Sequence, residues 1–323
     1  MEDYEYEKYI TTIDKVKKTV LKYGVAIIPN VLDETECQDI RDGMWDTIED
    51  VTQDLTLPID RNNKKTWKTM KEFYGIHGML IQHWGLGQSE FIWKVRENDK
   101  IIKVFEKIWR CKKEDLLVSF DGISISLPPE VTNFGKKCGD WLHVDQRFTN
   151  NEFSCIQSWV NAYDTNEGDP TLYFLENSNL YHKEFAEKYD IKSESDWYKF
   201  TEEELKFYEE KGCSKKRIKC PKGSLVLWDS RTAHCGGKMF TEREKENIRC
   251  VLYVCYMPRI ICSEQDLKKK IKAYEDMRIT SHYANKAQLF PKNPRTYSYD
   301  PLPAIRPITK PILNDVRKKL IGY

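Results

Sequence analysis

Trp141-Leu142-His143-Val144-Asp145 decides the reading of this chain, together with Gly223-Ser224-Leu225-Val226-Leu227-Trp228-Asp229-Ser230-Arg231-Thr232-Ala233-His234, whose histidine lies 91 residues beyond His143. Two residues apart on a strand, His143 and Asp145 leave the same face and can converge on one ion. His234 follows an apolar, strand-like run and a polar turn, so it too stands at a strand end. Strand ends far apart in sequence meet in a closed β-barrel. Two imidazoles and a carboxylate can occupy one face of Fe(II) and leave the other open for a bidentate cosubstrate and dioxygen. A histidine and an aspartate two apart are weak evidence alone, because most such pairs are structural or solvated. The trio carries the inference. His77, His83, His182 and His282 read as structural histidines.

Arg249 is the fourth element, fifteen residues past His234, at the start of the strand-like run Arg249-Cys250-Val251-Leu252-Tyr253-Val254-Cys255-Tyr256. A guanidinium pointing into a barrel needs an anionic partner, since burying it unpaired is costly. A dicarboxylate supplies one through paired hydrogen bonds. The competing reading pairs Arg249 with a surface glutamate. Arg243, within the charged run Thr241-Glu242-Arg243-Glu244-Lys245-Glu246, is the weaker rival.

The 323 residues allow two average domains or one large β-rich barrel with helices; without a clear linker or repeat, one oxygenase domain over 1–323 is the simplest account. The 52 basic and 51 acidic residues nearly cancel, so net charge gives no support to general nucleic-acid binding. Nine Trp, 18 Tyr and 13 Phe in a 40% hydrophobic chain argue for a folded core. The acidic start has no apolar run behind it and no stretch reaches membrane-spanning length, which points to an intracellular, cytoplasmic protein. Ten cysteines without CxxC pairs fit reduced thiols. Oligomeric state is not readable.

Residues 1–115 read as helices around one strand: a helix over about 9–23, a β-branched strand at 24–30, a helix from the N-cap Asp33 to about 49, loops and short helices over 50–98, and a helix over about 100–109. Strands follow at 117–127, 153–163, 171–175, 224–228 and 249–256, which set a core over about 116–257. A charged helical insertion interrupts it at 181–211. Residues 258–323 read as a helix capped by Ser263 and ending near 278, then an extended proline-rich tail wrapping the surface.

In combination these blocks resemble the phytanoyl-CoA dioxygenase-like family of Fe(II)/2-oxoglutarate oxygenases. Tyr23-Gly24-Val25-Ala26-Ile27-Ile28-Pro29-Asn30-Val31-Leu32 is similar to its opening strand, and His143-Val144-Asp145-Gln146 to its metal motif. Ser158-Trp159-Val160-Asn161-Ala162-Tyr163-Asp164 and the stretch from Gly168 to Leu175 resemble its central strands, and the run from Gly223 to His234 its second metal block. The likeness covers about 20–50 and 115–257. Two departures stand out: the long spacing from His234 to Arg249, and Glu176-Asn177-Ser178-Asn179 where the family usually continues Pro-Gly-Ser-His.

The resemblance implies a mainly β fold, a double-stranded β-helix (jelly-roll, cupin-like) core with flanking helices. It implies Fe(II) on His143, Asp145 and His234, 2-oxoglutarate held at its far carboxylate by Arg249, O2 as co-reactant, and ascorbate as a candidate reductant. It also implies hydroxylation of a small-molecule or peptide substrate with release of succinate and CO2. Related halogenases need a small residue where Asp145 stands, so halogenation is rejected. Ser124, Ser126, Gln157 and Ser158 are candidates near the cosubstrate, although Gln157 and Ser158 cannot share a face of a regular strand. Trp141, Arg147 and Trp159 are candidates to line the substrate pocket, against the commoner fate of core packing for a tryptophan. Segments 50–98 and 181–211 are the candidate substrate determinants. A cupin-type enzyme without 2-oxoglutarate, and a non-catalytic binding module, are the alternatives.

Overall fold

β-branched and aromatic residues build two facing six-stranded sheets among the residues described in this computed structural model, which are 3–73, 80–133, 141–240, 243–293 and 303–323. The major sheet runs, in spatial order, β2 (Val25–Ile28), β11 (Leu225–Asp229), β7 (Ile156–Asn161), β13 (Arg249–Tyr253), β5 (Ile123–Ser126) and β3 (Leu80–Ile81). The minor sheet runs β1 (Tyr4–Glu5), β10 (Lys215–Ile218), β8 (Thr171–Leu175), β12 (His234–Gly237), β6 (His143–Val144) and β9 (Tyr198–Lys199). A separate antiparallel pair joins β4 (Leu116–Val118) to β14 (Tyr256–Pro258). From β5 to β8, and again from β10 to β13, successive strands alternate between the two sheets. That winding is the jelly roll.

Register fixes which side chains meet inside. Val226 opposes Trp159 and Trp228 opposes Gln157 across β11 and β7. With Val251, Leu172 and Phe174, the apolar members of this face fill the space between the sheets. The alternate set, Leu225, Leu227, Val160 and Leu252, turns outward. It is covered by α1 (Val16–Tyr23), α2 (Glu34–Val51), α3 (Glu90–Arg96) and α4 (Asp99–Trp109). Both faces of these strands are therefore buried, which explains their near-continuous apolar runs. Asp33 and Glu36 form a reciprocal capping box at the start of α2.

The outer face of the minor sheet has its own cover. Val144, Tyr173, Leu175 and Cys235 lie under Phe185, Phe200, Phe207 and Tyr208. These come from 181–211, which contains α6 (His182–Lys188), α7 (Glu202–Glu210) and, unanticipated, the edge strand β9. α5 (Pro129–Thr132) is a single turn.

Two expectations change at the termini. The first helix is shorter than 9–23, because Ile10 bridges Ile27 and the Thr11 N–H donates to the Ile27 carbonyl (2.9 Å). α8 (Glu264–Glu275) is capped by Ser263 as expected. The tail is not extended to its end: α9 (Asp315–Ile321) buries Leu320 and Ile321 and ties Arg317 to Glu90 (2.8 Å) and Glu97 (2.7 Å). His77 lies outside the described residues. Among those described, nine cysteines are free thiols and no helix is long and apolar enough to cross a membrane.

Candidate metal centre

β6 and β12 are neighbours, and their register sets His143 directly across from His234. Asp145 stands one residue beyond β6, where its N–H donates to the Ser230 carbonyl (3.0 Å). The turn that presents Ser230 is locked by the Asp229–Arg231 ion pair (2.6 Å). The resulting ligand atoms of His143, Asp145 and His234 lie within 4.8 Å of one another. Asp145 Oδ2 is 3.4 Å from His143 Nε2 and 3.3 Å from His234 Nε2.

The backbone chooses the tautomers. His143 Nδ1 is 3.1 Å from the Trp141 carbonyl, and His234 Nδ1 is 2.8 Å from the Thr232 carbonyl. A carbonyl only accepts, so each Nδ1 carries the proton and each Nε2 presents a lone pair toward Asp145. Burial, then the neighbouring His143, lowers the pKa of His234. Burial alone would raise Asp145, but the imidazoles of His143 and His234 beside it hold it well below the usual carboxylate range. Two neutral nitrogen donors and one carboxylate oxygen are the donor set that suits a divalent iron. The residues present fit the metal.

Gln157 points inward from β7, and its Nε2 donates to Asp145 Oδ2 (3.0 Å), with Ser230 Oγ 3.3 Å away. Tyr283 OH donates to the Asp145 carbonyl (2.8 Å) and so pins the C-terminal loop to the metal strand. Ser158 faces the helical side, where its hydroxyl meets the Val254 carbonyl. The structure thus separates two candidates that the sequence left together: Gln157 is at the site and Ser158 is not.

Arg249 lies on the interior face, 7% exposed. Its Nε donates to Ser124 Oγ (3.0 Å) and its Nη1 to the Pro170 carbonyl (2.7 Å), while its guanidinium sits 5.8 Å from the Trp159 ring centre. Ser126 opposes it in register. No carboxylate pairs with Arg249 among the described residues. Its rival Arg243 is already spent on Glu130 (2.7 Å) and Asp169 (2.5 Å). Trp159, above which Arg249 rests, is two residues from Gln157 on the same face, a strand distance of about 7 Å.

The pocket candidates part company. Trp141 stacks on His143 (4.5 Å between ring centres, 12° between planes). Trp159 is core, fully enclosed beneath Arg249. Arg147 is held by Glu194 (2.6 Å) and Asp196 (3.0 Å) and fastens the 181–211 segment, so it does not offer a free charge to a substrate. Two residues near the centre escaped the sequence reading. Trp197 lies 6.0 Å from the His143 ring. His282, read as structural, feels the charge of Asp145 and carries an Nε2 that is shielded from solvent and hydrogen-bonds nothing among the described residues. Their approach depends on pairing across the fold, and no local motif announces it. His182 is structural as read, stacked on Phe148.

A family model described as phytanoyl-CoA dioxygenase (PhyH) matches residues 20–246. Ava biosynthesis cluster protein O of Aspergillus versicolor is 28% identical over 239 residues, covering 71% of this chain and 74% of that protein. A Dictyostelium discoideum protein named as a candidate phytanoyl-CoA dioxygenase is 23% identical over 267 residues, covering 71% and 72%. The solved structure of the hypothetical protein JW0805 from Escherichia coli aligns with a TM-score of 0.60 at 12% identity, over 99% of this chain and 86% of that one, a likeness of fold alone. The chain belongs to the phytanoyl-CoA dioxygenase (PhyH) family of non-haem oxygenases that use Fe(II) and 2-oxoglutarate.

Proposed function

We propose that this chain is a hydroxylase of a small-molecule or peptide substrate, with His143, Asp145 and His234 holding Fe(II) and Arg249 binding the far carboxylate of 2-oxoglutarate. The observation that carries the second half is the inward Arg249 guanidinium, buried without a carboxylate partner among the described residues. When bound, iron with 2-oxoglutarate and O2 supplies oxidative decarboxylation to succinate and CO2 and delivers one oxygen atom to the substrate.

The protein's own contribution is positional. Ser124 orients the guanidinium through Nε, and Ser126 stands opposite it to meet the same carboxylate. Gln157 holds the Asp145 carboxylate in place, and the Trp141 and Thr232 carbonyls fix the imidazole tautomers. Trp141 shields one face of His143 from water. A cupin-type enzyme without 2-oxoglutarate would leave Arg249 without its anion, which weighs against that alternative.

The test is succinate formation by Fe(II)-loaded protein with ascorbate, 2-oxoglutarate and fractionated metabolite and peptide pools, together with a mass search for products gaining one oxygen. Stimulated succinate and a matching product, both absent in Asp145→Ala, are expected. Wild-type protein that turns over no more 2-oxoglutarate than the variant would sink the proposal.

A further inference from the structure

The edge strand β9 does more than close the minor sheet. Its register with β6 sets Lys199 opposite His143 and Tyr198 opposite Val144. Continued by one residue, that register sets Trp197 opposite Asp145. Tyr198 packs with Val144 in the apolar cluster on the outer face, and side chains alternate along an extended chain. Trp197 therefore falls on the metal face, and the 6.0 Å between its ring and that of His143 agrees. Its backbone is fixed: Ser195 Oγ donates to the Trp197 carbonyl (2.9 Å) and accepts from its N–H (3.2 Å). The preceding Asp196 is clamped by Arg147 (3.0 Å) and Lys286 (3.2 Å). Yet the side chain is 50% exposed. A large indole thus stands beside a metal ligand with half its surface in water, open to a flat partner on the metal side.

Trp141 repeats the motif from the other strand, half-buried and lying flat on His143. Resting on the iron-centre reading above, we infer that the substrate is a planar aromatic or heteroaromatic small molecule, seated against Trp197 at the mouth of the centre with Trp141 beside it. Offset stacking on a fixed indole orients a flat ring without long-range charge. Arg147 and Lys286 are spent on Glu194 and Asp196, so neither asks for a highly anionic ligand. Lys199, exposed on the same face, has room to meet one acidic substituent of such a ring.

The experiment uses full-length protein loaded with Fe(II) and 2-oxoglutarate without oxygen. Quinoline and indole serve as flat probes and decanoyl-CoA as an extended aliphatic ester, with binding read by ligand-observed NMR. Trp197→Ala should weaken quinoline and indole tenfold or more, Trp197→Phe should stay within about threefold of wild type, and Fe(II) affinity should be unchanged in both. Aromatic binding that ignores Trp197→Ala, or decanoyl-CoA binding more tightly than either ring, overturns the inference. Failure of the iron-centre reading appears separately, as wild-type protein that takes up no Fe(II) or 2-oxoglutarate while its response to the probes is still measured.

Discussion

The imidazole nitrogens that face Asp145 are aprotic because their partner nitrogens are tied to carbonyls two residues back in the chain. This arrangement separates the roles of individual residues. Gln157→Ala removes a hydrogen bond to the metal carboxylate and should cost ten- to a hundredfold in Fe(II) affinity, while 2-oxoglutarate affinity at saturating metal changes little. Arg249→Ala should do the reverse: Fe(II) affinity kept, and 2-oxoglutarate affinity lowered about thirtyfold or more, in line with the ~2–5 kcal/mol lost when one partner of a buried charge pair is truncated. Calorimetry with each ligand in turn checks both, and a variant that lost the two ligands in equal measure would contradict this division. His143, Asp145, His234 and Arg249 were legible in the sequence because polar groups at the ends of apolar strands need a reason to be there. The choice between Gln157 and Ser158 was not legible, since a slip of one residue exchanges faces and only the pairing of β7 with β11 settles it.

At the scale of elements, 181–211 is mainly a wall behind the metal strands. Phe185 sits at its centre, against Phe148, Phe200 and Tyr208. Phe185→Ala should destabilise the fold by about 3–5 kcal/mol, measured by urea denaturation, and should weaken Fe(II) binding as β6 and β12 loosen. A large loss of stability with unaltered metal affinity would show that the wall and the centre are uncoupled. The sequence suggested a substrate determinant here because its high charge hid the apolar face and the short strand β9. Trp197 partly restores that role from within the wall. α9 was concealed for a different reason: it follows a proline-rich run and spans only seven residues, too short for hydrophobic periodicity to show. The jelly-roll strands were readable because each is an apolar run with a turn after it. Their order in space was not, since it rests on pairings between strands from about 40 to more than 200 residues apart.

Across the whole molecule, one buried cation sets a dependence on pH. Lys270 of α8 donates to the Val118 carbonyl and lies 3.9 Å from the centre of the Phe120 ring. Burial, then the nearby charge of Arg96, pulls its ammonium from 10.5 down to about 7. Below pH 7 both folded and unfolded chains hold this proton, and the cost of burying the charge is fully present. Between pH 7 and 10.5 the unfolded chain keeps a proton that the folded chain has released, so this group adds stability as pH rises, by at most about 1.4 kcal/mol per unit. Lys270→Met should therefore be more stable than wild type at pH 7, with the gap closing toward pH 9 in matched urea titrations. A gap that stays constant or widens with pH would refute the assignment.

On the proposed function, one centre built from β6, β12 and β13 takes iron and 2-oxoglutarate together. Anaerobic calorimetric titration of the purified chain with Fe(II), then with 2-oxoglutarate, tests it most directly. The expected result is one Fe(II) per chain, lost in His234→Ala and Asp145→Ala, with 2-oxoglutarate binding that needs the metal and is weakened about thirtyfold or more in Arg249→Ala. Iron binding that survives both ligand substitutions, or 2-oxoglutarate binding indifferent to Arg249, would contradict the account.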